Sequence, residues 1–118
     1  MMTISEQTRM TAPQPILARQ YLLPRDTSVD SATRVAERVI QSINATGGAV
    51  VDFAGVGGVS STYFNTLFRI VGEAVGVDRM ATGLTRRCES AAQRHIADRS
   101  WEAVLELLRG KDRDNEVA

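Results

Sequence analysis

Apolar residues recur at three- and four-residue spacing in two long stretches of the chain. Ala32, Val35, Ala36, Val39, Ile40 and Ile43 form the inward stripe of one helix, with Arg34, Glu37, Arg38 and Gln41 on its outer side. Asp30 or Ser31 is placed to cap that helix, and Gly47-Gly48 to stop it. Phe64, Leu67, Phe68, Val71, Ala74 and Val75 mark a second helix, which Gly76 ends by its freedom to take positive φ. Between the two, Ala49-Val50-Val51-Asp52-Phe53-Ala54 is apolar except at Asp52 and bounded by glycines, the pattern of a buried strand.

The flanking pattern is less regular. Ile16 to Leu23 fits an edge strand or a short helix, ended by Pro24 in either case. Met80 to Thr85 reads as a short strand. Glu89 to Arg99 reads as a helix with Ala91, Ala92, His95 and Ile96 on one side. Ser100 is then placed to cap a further helix that carries Trp101, Val104, Leu105 and Leu108 and that Gly110 closes. The alternation of strand and helix predicts an α/β layer with parallel strands around each helical crossover. Residues 1–15 lack periodicity and read as a loose arm, 16–110 as one domain, and 111–118 as a frayed polar tail.

Composition narrows the function classes. At 118 residues with 43% hydrophobic content the chain supports one modest core. Fourteen basic residues balance fourteen acidic ones, so net charge recruits neither nucleic acid nor an anionic membrane. A protein or small-molecule partner is expected instead. No apolar run approaches the roughly 20 residues that span a bilayer, and the polar start of the chain has no signal-type core. Cys88 is the only cysteine, which rules out an internal disulfide and fits a cytoplasmic protein.

Catalytic chemistry is thinly represented. His95, the only histidine, reads as a half-buried structural residue beside Ala91, Ala92 and Ile96. Cys88 lies roughly 10 Å from it along a continuous helix, too far for a nucleophile and base pair. One Cys, one His and scattered carboxylates give no metal-ligand spacing, and no cofactor is expected. Gly55-Val56-Gly57-Gly58 follows a strand, but Ser60 stands where a dinucleotide fingerprint needs Gly, and no Lys precedes Ser60 or Ser61 as a phosphate loop requires.

Glycines before a helix still leave the amides of its first turn open, and a helix N-terminus favours negative charge. Ser60, Ser61 and Thr62 sit at this point. They fit two roles: a simple N-cap, worth about 1 kcal/mol, or a site where a phosphate adds nearly two negative charges.

The pattern Val51-Asp52-Phe53-Ala54-Gly55-Val56, then Val59-Ser60-Ser61-Thr62-Tyr63 and Leu67-Phe68-Arg69, resembles the STAS-like domain family of unknown function. That family is related to the sulfate-transporter and anti-sigma-factor-antagonist domain. The likeness is sharpest over residues 50–70 and looser from Val35 to Arg99. It implies a small mixed sheet with helices packed on it. In antagonists of the wider fold, a serine kinase phosphorylates a Ser or Thr in an Asp-Ser-Ser or Asp-Ser-Thr motif at this helix start, and its charge selects the protein bound. The resemblance places Ser61 at the phosphorylated position and Ser60 where Asp is usual. Asn65-Thr66 stands where family members often carry an acidic pair.

The resulting expectation is a non-enzymatic regulatory module that docks a protein, a serine-kinase-like or transcription-regulating one, near Ser60. Ser61, Ser60 and Thr62 are the switch candidates, and Asp52, Gly55, Gly57, Gly58, Tyr63 and Asn65 the loop and partner-binding candidates. An alternative is a small-molecule or nucleotide binder at the same turn, with Arg69, or Arg86 and Arg87, as anion partners. Another is a self-assembling subunit, as in a homodimer, that pairs through the Trp101, Val104, Leu105 and Leu108 stripe.

Overall fold

A computed structural model describes residues 14–57 and 60–117. The order is β1 (Pro15–Leu17), a 3₁₀ turn (Ala18–Tyr21), α1 (Ser28–Thr46), β2 (Ala49–Asp52), α2 (Ser61–Val75), α3 (Val77–Gly83), β3 (Leu84–Arg87) and α4 (Ala91–Val117). The strands form one sheet in the order β1-β2-β3, and both pairs are parallel, with Ile16 beside Val51 and Val51 beside Arg86. Among the described residues the sheet is therefore parallel throughout rather than mixed.

Period-two burial along the strands shows how the layers stack. Ile16, Ala49, Val51 and Leu84 enter the core, whereas Val50 is half-buried and Pro15, Thr85 and Arg87 are exposed. The helical stripes meet that buried face. Ala32, Val35, Ala36, Val39 and Ile43 of α1 and Phe64, Leu67, Phe68, Val71 and Val75 of α2 are buried as their spacing predicts, while Ala74 is exposed. Helix α2 lies between α1 and α4 and packs on both. An aromatic chain runs through this centre: Phe53 to Phe64 at 5.1 Å, Phe64 to Phe68 at 5.9 Å, and Phe68 to Trp101 at 5.0 Å between ring centroids.

Four expectations are corrected. Ile16 to Leu23 divides into a three-residue strand and a 3₁₀ turn. The cap of α1 is Thr27, not Asp30 or Ser31: its hydroxyl accepts from the Asp30 amide at 3.1 Å, and the Asp30 carboxylate accepts from the Thr27 amide at 3.2 Å. Met80 lies in α3 and not in a strand; Val77 and Met80 are buried one helical turn apart, and β3 begins only at Leu84.

The fourth correction concerns α4, which runs unbroken through both Ser100 and Gly110. Its inward stripe is Gln93, Ala97, Ser100, Val104 and Leu108, all buried. Ser100 serves as a small residue at a helix contact rather than as a cap. Gly47 does end α1, at φ +88°, with its amide donating to the Ile43 carbonyl at 2.8 Å.

Candidate partner-docking site

Three connections follow the C-terminal ends of the parallel strands, and two of them build the site. The β2–α2 loop begins with Asp52, whose Oδ1 accepts from the Ala54 amide at 2.9 Å and folds the chain back on itself. The Phe53 amide donates to the Arg87 carbonyl at 2.9 Å, extending the β2–β3 pairing by one bond. Gly55 and Gly57 take φ +84° and +65°, a conformation that side-chain-bearing residues rarely adopt. Gly58 lies outside the described residues.

Gln93 holds this loop from the other connection. Its side chain is buried and forms three hydrogen bonds: Nε2 donates to the Phe53 carbonyl at 3.2 Å and to the Gly57 carbonyl at 3.1 Å, and Oε1 accepts from the Glu89 amide at 2.7 Å. The Gln93 amide donates to Ser90 Oγ at 3.1 Å. One amide side chain thus ties the start of α4 to both ends of the glycine turn. The signal was present in the sequence, because Ser90-x-x-Gln93 is the spacing of a capping box.

The hydroxyl cluster separates into two roles. Ser60 is the N-cap of α2, with Oγ accepting from the Tyr63 amide at 3.4 Å. Ser61 and Thr62 are exposed in the first turn, Asn65 is exposed one turn on, and no acidic residue occupies that turn. Tyr63 points the other way. It is 1% exposed in the aromatic core, which removes it from the partner-facing candidates. Its hydroxyl has no hydrogen-bond partner among the described residues, and burial pushes its pKa up to about 12.

Beside Ser61 is a cavity of about 460 Å³, walled by Ser61 and Asn65 of α2 and by His95, Ile96 and Arg99 of α4. His95 is exposed on this wall rather than half-buried, because Gln93 and Ala97 take the inward positions. A second cavity of about 370 Å³ continues from it, sharing Asn65 and Ala103 and adding Arg69 and Leu107. His95 and Arg99 are the part of the site that sequence reasoning missed.

Other candidates are committed elsewhere. Arg86 lies 4.3 Å over the Trp101 ring and pairs with Asp98 at 3.0 Å, so it is held on the far side of α4's inward stripe. Val104 and Leu108 are buried, and Trp101 and Leu105 are half-buried against the core; the exposed leucine of this helix is Leu107. Burial pushes the Cys88 thiol up despite the Arg86 and Arg94 charges, the reverse of what a thiolate nucleophile needs. No group of three His, Cys, Asp or Glu side chains gathers among the described residues. No described helix is long and apolar enough to cross a membrane.

Compared with known proteins, the chain matches no family model, no curated protein and no solved structure.

Proposed function

We propose that the chain is a non-enzymatic regulatory module that docks a protein partner through the β2–α2 loop and the opening turns of α2, with phosphorylation of Ser61 as its switch. The observation that carries this reading is the division of labour at the helix start. Ser60 makes the cap, so the exposed Ser61 and Thr62 hydroxyls are not needed for it. Gln93 and Asp52 fix residues Phe53 to Gly57 behind them, and a pre-formed surface binds with less ordering cost.

The setting also suits a phosphate. An N-terminal turn without acidic side chains tolerates added negative charge, and Arg99 stands on the opposite wall of the cavity that Ser61 lines. The STAS-like resemblance supplies the same reading from the sequence, with a serine-kinase-like or transcription-regulating protein as partner and the cytoplasm as the place of action.

The test is quantitative mass spectrometry of proteins that co-purify with the tagged chain from its native host, beside Ser61→Ala and Ser61→Asp. A partner retained by Ser61→Ala and lost by Ser61→Asp supports the reading. Equal recovery with all three removes the switch, and recovery of the chain alone removes the partner.

A further inference from the structure

We infer that the partner enters as a short acidic amphipathic helix laid along the groove between α2 and α4. The inference rests on the docking reading above and supplies the partner's chemistry. The two cavities beside α2 run end to end through Asn65 and Ala103, and neither is lined by a carboxylate. Their ionic side chains are Arg99 and Arg69, with His95 at one end. Arg99 belongs to no ion pair among the described residues. Arg69 meets Glu73 at 3.8 Å, but both side chains are about half exposed, and such a pair contributes little. On a chain of zero net charge the groove is thus a local basic strip, and charge complementarity selects an anionic partner.

The shape of the groove selects a helix. Both walls are α-helices, whose backbone groups are already paired, so no sheet edge is offered to an extended peptide. Ile96 and the half-exposed Leu107 mark the two ends. At 1.5 Å per residue they lie about 16 Å apart along α4, the length of three helical turns. Between them the short side chains of Asn65 and Ala103 leave room for a helix whose apolar residues meet Ile96 and Leu107 and whose carboxylates meet Arg69 and Arg99. Ser61 lies at the Arg99 end. A phosphate there competes with the partner's carboxylates, so phosphorylation releases the partner.

The experiment titrates two synthetic helical peptides into the ¹⁵N-labelled full chain. They share one leucine spacing and carry Glu or Lys at the flanking positions. The Glu peptide is expected to shift the amide signals of Asn65, Arg69, Arg99 and Leu107. Its binding is expected to fall about tenfold in the Arg69→Glu/Arg99→Glu variant and again on raising salt, as screening of exposed charges requires. Ser61→Asp is expected to weaken it several-fold, and the Lys peptide to leave the groove unshifted. Both arginines are exposed, so the variant keeps its fold, which is checked by unchanged signals from the sheet.

Absence of groove shifts with the Glu peptide, or equal binding to the double variant, overturns the inference. If a cellular partner depends on Ser61 while the Glu peptide does not bind, the inference falls and the docking reading stands. If the peptide binds the groove and the tagged chain recovers no cellular partner, the docking reading falls; if a partner is recovered equally with all three Ser61 forms, only the switch falls.

Discussion

Helices α1 and α2 begin with the same kind of residue and end up with different surfaces. At the start of α1, Thr27 and Asp30 exchange two hydrogen bonds, and the Asp30 carboxylate sits on the helix's positive end. At the start of α2, Ser60 makes one longer cap bond, no carboxylate follows, and two hydroxyls remain exposed. The first helix start is closed by its own sequence. The second is open, and its loop is held from outside by Gln93. On the docking reading, the start of α2 keeps its terminal groups available for a partner and takes its rigidity from a neighbouring element.

The largest effect is expected at that outside support. Gln93→Ala removes the bonds to the Phe53 and Gly57 carbonyls and to the Glu89 amide, leaving the Phe53 carbonyl only the Val56 amide at 3.3 Å. Three lost bonds, one of them buried, should cost about 1–3 kcal/mol, read by denaturant unfolding. The same variant should speed hydrogen exchange in the β2–α2 loop and leave α1 unchanged. If the slowing of exchange at Gly55–Gly57 survives, the loop is held by something other than Gln93.

The caps themselves come next. Thr27→Ala removes the 3.1 Å hydroxyl half of the reciprocal pair, while the residue 27 amide still donates to Asp30, and should cost about 1 kcal/mol, whereas Ser60→Ala, which loses one 3.4 Å bond, should cost about 0.5 kcal/mol. Urea midpoints of the two variants give the ranking, and the reverse order contradicts the contrast between the helix starts.

Charge at the two helix starts gives the smaller effects. Adding an acid to the open start by Ser61→Asp should stabilise the fold by about 0.3–1 kcal/mol. Ser28→Asp, placed beside Asp30, should give less, and thermal melts at low salt compare the two. The Asp30 carboxyl is held below its ordinary value by the Thr27 amide and then by the Thr27 hydroxyl. A depressed folded value means that stability is present above the unfolded carboxyl value and lost as pH falls through the folded one. Wild type should therefore lose its advantage over Asp30→Asn across that acidic interval. No such loss is expected for Ser60→Ala, because the α2 start has no acidic group to titrate.

Much of this contrast was legible in the sequence, and the illegible part has physical reasons. Period-3.6 stripes located the buried faces of α1 and α2 because long amphipathic helices repeat the signal many times. Valine and phenylalanine around Asp52 located β2 for the same reason. Met80 misled because its burial serves a two-turn helix too short to show a period. Ser100 and Gly110 read as caps, yet α4 runs through both; at Ser100 local preference yields to tertiary packing, because Ser100 is buried in the inward stripe.

The site was half legible. The hydroxyls at the α2 start stood out because they follow glycines. His95 and Arg99 did not, because the neighbouring alanines suggested that the His95 face was inward, whereas Ala91 and Ala92 are exposed and Gln93 is buried. A buried glutamine is uncommon enough that periodicity alone does not suggest it.

The most direct test places a photo-crosslinking residue at Asn65, on the open helix start, and in a second variant at Glu37, on the outer side of α1, in the native host. The account predicts one discrete crosslinked protein from position 65, none from position 37, and loss of the position-65 product when Ser61→Asp is added. The same product from both positions, or no product from position 65, contradicts docking at the start of α2.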